Sequence, residues 1–231
     1  MRPFFSIAIP TYEFKGKGVE FLEFSFEKIK KQTFKDFEVV ISDHSLDDNI
    51  QKLCEKWKTV FKINYLKNSR GRGSNSPNIN VAMENCSGLW IKILFHDDFL
   101  FDEYSLETQA NFIKSNQEII WFFTNFYHTN TGHDLYRFYQ PNWNEQMLSG
   151  HNTLGAPSGL TLKNENIIFF DEDLCWLMDC DYYHRMKNKY GPPKILRETT
   201  YVNRTSNERL TDTLSEEFKS KEFEIISKKY A

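Results

Sequence analysis

Short apolar runs alternate with segments of helical spacing, and that alternation sets the plan of the chain. Phe4–Ile9 predicts a first buried strand, halted by Pro10. After Gly16-Lys17-Gly18, the residues Val19, Leu22, Phe26 and Ile29 recur at helical intervals. They predict a helix that stops near Lys30-Lys31, where basic side chains suit the C-terminal end of the dipole. Phe37–Ile41 predicts the second strand, Ser42–Asp48 a polar turn, and the residues through Trp57 a second helix. Lys62–Leu66 is a weaker strand, followed by a Gly- and Ser-rich loop over Asn68–Pro77. Ile79, Ala82, Met83 and Cys86 mark a third helix, closed by Gly88.

The pattern then reaches its most informative stretch. Trp90–Phe95 is short, apolar and rich in β-formers, as a strand buried on both faces should be. It runs into His96, Asp97 and Asp98. In an open α/β sheet, ligands bind at that carboxyl edge. Two adjacent carboxylates repel each other and welcome a cation, and oxygen ligands suit Mg²⁺ or Mn²⁺, above all with phosphate oxygens completing the shell. The competing local reading is a strand end whose Asp residues only form a turn.

Beyond this point Asp102 caps a helix packing Leu106, Ala110 and Ile113, and Ile119–Thr124 predicts another strand. Residues 125–152 have weak periodicity and are expected to be loops and short strands over the cleft. A tight turn at Gly155–Gly159 precedes a short strand, Leu160–Leu162. A helix within Asp171–Tyr190 is ended by Gly191, Ile195–Val202 is a final strand, and Ser215–Tyr230 is an amphipathic helix with Phe218, Phe223 and Ile226 as its apolar positions. Regular strand–helix alternation in the first half implies a mostly parallel sheet with right-handed crossovers, while the second half is mixed.

Composition narrows the partners. A net charge of -3, from 29 basic and 32 acidic residues, gives no electrostatic grip on nucleic acid. Aromatic residues make up 16% of the 231, so a ligand cleft should carry aromatic walls. Cys54, Cys86, Cys175 and Cys180 show no metal spacing and fit free thiols in a reducing, cytoplasmic setting. No run is long enough for a membrane span, which leaves peripheral membrane contact open. GRGS at Gly71–Ser74 lacks the lysine of a phosphate-binding P-loop, and no G-x-G-x-x-G follows a strand.

Taken in order, Ser6–Tyr12, Gln32–Asp43, Asn80 with Gly88, His96-Asp97-Asp98, Asp179–Arg185 and Tyr201–Arg204 resemble the motifs of glycosyltransferase family 2, a GT-A fold. The resemblance covers essentially the whole chain. It implies an α/β fold with a single Rossmann-like, mostly parallel or mixed sheet flanked by helices. It also implies one domain over 1–231, with 1–125 binding the nucleotide sugar and 126–231 carrying the acceptor site and the base. The implied activity moves a sugar from a nucleoside-diphosphate donor to an acceptor hydroxyl with inversion, assisted by Mn²⁺ or Mg²⁺. By the match, Asp98 holds the metal, Asp97 sits at the ribose or the metal's outer shell, and Asp179 is the general base. Asp181 is the rival base; on a helix the two side chains diverge by about 200°, so only one can face the donor.

Thr11, Tyr12 and Asp43 are expected at the nucleobase, Asn80 at the donor, and Arg204 at the diphosphate or on the terminal segment. Two departures stand out. Ile79 occupies a place where relatives often carry Arg, so either Arg70 or Arg72 replaces it or the donor differs. His96 replaces an acid, making the site one charge less negative; a packing or supporting role is expected of it. Acceptors consistent with this reading are saccharides, glycolipids and glycoproteins, with a homodimer possible. The alternatives are a nucleotidyltransferase or sugar-nucleotide pyrophosphorylase, and a non-catalytic nucleotide-sugar or glycan-binding domain.

Overall fold

The computed structural model of the protein describes residues 2–205 and 214–230. Its strands are β1 (Phe5–Thr11), β2 (Phe37–Asp43), β3 (Ile63–Lys67), β4 (Trp90–Ile93), β5 (Phe99–Leu100), β6 (Trp121–Thr129), β7 (Leu135–Tyr139), β8 (Leu160–Lys163) and β9 (Lys194–Arg204). The α-helices are α1 (Gly18–Lys30), α2 (Asn49–Trp57), α3 (Asn75–Glu84), α4 (Ser105–Ser115), α5 (Met178–Tyr190) and α6 (Glu216–Lys229).

All strands join one sheet in the order β3-β2-β1-β4-β8-β6-β9-β5, with β7 added beside β6. β1, β2, β3 and β4 run parallel, whereas β8 lies antiparallel to β4 and β6. The α/β class and mixed sheet expected from the pattern are therefore present. One apolar cluster gathers Leu22, Phe26, Ile50, Leu106 and Ala110; another gathers Ile79, Met83, Leu177, Tyr182 and Tyr183. β4 is buried along its whole length, as its uninterrupted apolar run requires.

Several boundaries differ from expectation, for identifiable reasons. β1 does not stop at Pro10 but continues to Thr11, because its pairing with β4 ends at Ala8 and the missing N–H disrupts no bond there. β6 runs on to Thr129 and β7 follows as a hairpin partner, so part of the stretch expected to hold loops and short strands is a longer strand and its hairpin. β6 holds β9 along one edge while the other edge passes from β8 to β7, and these partners compensate for its weak alternation. In α6 the buried positions include Glu222 and Ile226, whereas Phe223 is exposed. Ser215 caps that helix, accepting a hydrogen bond from the Phe218 N–H at 3.2 Å.

Candidate active site

A cavity of about 540 Å³ opens over the carboxyl ends of β1 and β4 and extends toward α5. Tyr12, His96, Asp97 and Arg204 line one part of it, and Asn152, Gly155, Trp176 and Asp179 line another.

The strand-end turn after β4 separates its two carboxylates. Asp97 lines the cavity. Asp98 is 1% exposed and is already engaged: Asn203 Nδ2 donates to its two oxygens at 3.0 and 3.2 Å, and the Arg204 N–H donates at 2.7 Å. Burial, then the adjacent Asp97 charge, push its carboxyl up, against the pull of these donors and of Ser158. The expectation that Asp98 presents itself to a metal thus meets a carboxylate turned into the protein. His96 is buried, and burial pushes its imidazole pKa down, against the pull of Asp97. Its Nε2 has no hydrogen-bond partner among the described residues, and its ring meets Tyr12 edge-on at 5.2 Å.

Beneath this turn lies a feature missed in the sequence, Lys92 of β4. It is fully buried, its ammonium donates to the Ser158 carbonyl, and it stands 5.2 Å over the Tyr201 ring. Burial pushes it down to about 7, offset by the Asp98 charge. One polar residue inside an apolar run carries no periodic signal, so nothing in the pattern marks it.

The other predicted donor residues divide between the cavity wall and the layer behind it. Tyr12 is on the wall. The Arg204 guanidinium packs over Phe21 at 4.5 Å and its Nε donates to the Asp97 carbonyl at 3.1 Å, so it lines the cavity beside that acid. Thr11 and Asp43 are fully buried. The Thr11 carbonyl accepts from Asn78 Nδ2 at 3.0 Å, and Asp43 accepts from the Ser45 N–H at 2.8 Å and the Tyr65 hydroxyl at 2.7 Å. Asn80 is tied to the segment before α5, donating to the Phe170 carbonyl at 2.9 Å and accepting its N–H at 2.8 Å. Arg70 and Arg72, expected as substitutes near the base, are occupied elsewhere: Arg70 pairs with Glu84 and Glu172, and Arg72 donates to the Ser45 carbonyl.

Asp179 and Asp181 diverge as helical geometry requires. Asp179 lines the cavity, with Asn152 Nδ2 donating to it at 2.7 Å and the Cys180 N–H at 2.7 Å. Burial outweighs those donors and pushes its carboxyl up to about 6. Asp181 is fully buried on the other side, held by Arg185 Nε at 2.7 Å, the Tyr230 hydroxyl at 2.6 Å and Lys229 at 2.8 Å.

Two supports of Asp179 went unread in the sequence. Asn152 accepts the N–H groups of Leu154 and Gly155, an Asx turn whose local signal is the Asn-Thr-Leu-Gly run. Glu222 of α6 is 3% exposed and accepts N–H bonds from Cys175 at 2.7 Å, Trp176 at 3.0 Å and Leu177 at 2.7 Å, at the positive end of α5. Its sequence separation from the acid it serves hides that role. His128, expected in a loop, sits on β6 and lines the cavity.

The sequence model of Glycosyl transferase family 2 matches residues 6–187. The chain belongs to glycosyl transferase family 2. An uncharacterized glycosyltransferase of Rickettsia felis is 30% identical to this family 2 chain over 114 residues, 49% of the chain and 18% of that protein. S. aureus TarS 1-349 in complex with UDP-GlcNAc has a TM-score of 0.66 at 18% identity, covering 91% of this chain and 61% of that one. The mannosyltransferase PcManGT from Pyrobaculum calidifontis, in complex with GDP-Man and Mn²⁺, has a TM-score of 0.62 at 14% identity, covering 90% and 59%. These likenesses show the fold. The family 2 chain spans less than two thirds of each relative's length. Among its described residues no helix is long and apolar enough to cross a membrane.

Proposed function

We propose that the chain transfers a sugar from a nucleoside-diphosphate donor to an acceptor hydroxyl with inversion, using Asp179 as general base. The observation that carries this reading is a single cavity with Asp97, Arg204 and Tyr12 on one wall and Asp179 on another. An inverting displacement needs the leaving group and the base on opposite sides of the anomeric carbon, and a base whose carboxyl sits at about 6 is ionised at neutral pH yet still basic.

The cation-facing group is reassigned from Asp98 to Asp97. Among the described residues no three His, Cys, Asp or Glu side chains gather as a protein-made metal site. The Asp97 carboxylate on the wall, with the buried and unpartnered His96 Nε2 one residue before it, fits Mn²⁺ or Mg²⁺ with diphosphate oxygens completing the shell. A bound cation would supply charge neutralisation at the departing diphosphate. Arg204 adds a fixed positive charge beside it, and Tyr12 offers a ring for the base. Asp98, Asp43, Thr11 and Asn80 hold the wall in shape from behind. The ligands of the two solved relatives, UDP-GlcNAc and GDP-Man, make UDP and GDP the first donors to try.

Calorimetric titration of UDP, GDP, dTDP and CDP, with Mn²⁺ and after chelation, tests the reading. One diphosphate should bind, more tightly with metal, and Asp97→Asn should remove the metal dependence. No binding by any of them to folded protein would overturn it.

A further inference from the structure

The β6–β7 hairpin contains an irregularity that aims a charged side chain. Tyr127 pairs with Phe138 and His128 with Tyr136, so Arg137 is an extra residue with no partner across the ladder. Its φ is +42°, a left-handed conformation unfavourable for a residue with a Cβ. The bulge has a visible result. Tyr136 meets His128 at 5.9 Å and Tyr139 meets Phe126 at 4.8 Å, and both partners lie on the same face of β6. Residues three apart cannot share a face in a regular strand, so the inserted residue is what brings both rings round.

Arg137 lines the cavity with Tyr139 and His128. Among the described residues it has no hydrogen-bond or ion-pair partner, and the one acid of its hairpin, Asp134, contacts Thr131. The wall from Arg137 to the base is continuous. Tyr139 packs on Phe126, Phe126 packs against Gly155, and Asn152 bonds both Gly155 and Asp179. Arg137 is separated from the donor end by sheet geometry: β7 and β9 flank β6 on opposite edges, two strand spacings or about 10 Å apart. Arg137 is exposed, so its guanidinium is open to a ligand entering the cavity, and the left-handed backbone fixes where it stands.

We infer that Arg137 anchors a negative group, a phosphate ester or a carboxylate, carried by the acceptor near the hydroxyl that Asp179 deprotonates. The acceptor class is thus an anionic saccharide, an assignment that rests on the transferase reading above. A guanidinium holds such a group through paired, charge-assisted hydrogen bonds.

The test compares wild type with Arg137→Gly, which keeps the backbone conformation and removes the side chain, and with Arg137→Gln. Glucose 6-phosphate, glucuronate and glucose are titrated into protein saturated with whichever nucleoside diphosphate binds. At least one anion should bind wild type roughly 10-fold or more tighter than glucose, and both variants should lose that margin, with nucleotide affinity and melting temperature maintained. The phosphate and carboxylate arms tell the two sources of charge apart. Equal affinity of wild type for all three sugars would overturn the proposal. So would variants that weaken nucleotide binding, since Arg137 would then serve the donor. Arg137-dependent anion binding by a protein that takes no nucleotide would remove the transferase reading and leave the anion site standing.

Discussion

Glu222 offers the sharpest test of how this site is held together. Its carboxylate receives the N–H groups of three consecutive residues just before α5, the helix whose first turn carries Asp179. Each such bond to a charged acceptor is worth about 1.5–3 kcal/mol, but the sum overstates the loss from truncation. Leu177 is 2% exposed, whereas Cys175 and Trp176 are half-buried and can turn to water once the carboxylate is gone. Glu222→Ala should therefore destabilise by about 2–4 kcal/mol, dominated by the stranded Leu177 donor and the space left behind. For a chain of this size that lowers the melting temperature by roughly 4–16 °C. Glu222→Gln keeps one accepting oxygen but sets an NH₂ against the remaining donors, and should cost about 1–2 kcal/mol. Both variants should lower kcat more than they raise KM for the donor, because a displacement of the base of about 1 Å costs on the order of 100-fold. Thermal melts and initial rates on the same preparations decide it. An alanine variant that melts within about 1 °C of wild type and turns over equally fast would refute the claim that α6 holds the base.

Three further outcomes follow from the structure. Asp179 must be ionised to accept a proton, so kcat/KM should fall as pH drops through about 6. Because its carboxyl sits above its ordinary value, it favours the fold at low pH and loses that contribution as pH rises through about 6. Asp179→Asn should then be inactive yet more stable at pH 8 by about 1–3 kcal/mol, and urea melts showing it less stable would contradict this. Glu38 has the opposite sign: burial pushes it up, but hydrogen bonds from Lys62, Ser87 and Ser6 hold it at about 2. Its contribution is present above its ordinary value of 4.5 and fades as pH falls toward 2, so Glu38→Gln should lag wild type by about 1–3 kcal/mol at pH 7 and match it near pH 2 in guanidinium melts. A Cβ on Gly88 would stand 2.5 Å from the Ser6 backbone nitrogen and 2.7 Å from the Phe5 carbonyl carbon, so Gly88→Ala should lose about 2–3 kcal/mol in urea denaturation; a loss under about 0.5 would mean the strands part freely.

Much of the frame could be read from residue order, because uncharged runs such as Ile7–Ile9 and Val39–Ile41 and the spaced apolar face of α1 answer to local periodicity. The pattern predicts the first part of β6 but leaves the rest of the hairpin as loops and short strands without bounds, since aromatic and polar residues alternate there without a clear apolar face. Tyr12, Asp97, Arg204 and Asp179 could be chosen in advance by motif order, and all four line the cavity. What residue order could not tell is which of two adjacent acids turns inward. That is decided by Asn203 and the Arg204 N–H, more than a hundred residues away, which claim Asp98. Asn152, Glu222, Lys92 and Arg137 were invisible for the same reason: their meaning lies in long-range partners, or in one bulged residue.

The continuity of the sheet has a mechanical consequence. Enzymes that close a cleft between two bodies do so about a hinge, bending a few backbone residues while each body stays rigid. Here the strands that line the cavity belong to one hydrogen-bonded ladder, and β6, which carries Phe126 and His128 to it, locks to β8 and β9, while Asp179 comes from α5. Opening that ladder would break backbone bonds along several strands at once. Adjustment to ligands of different length must therefore come from side chains and from the connecting segments over 68–74 and 140–159, the second of which reaches Asp179 through Asn152.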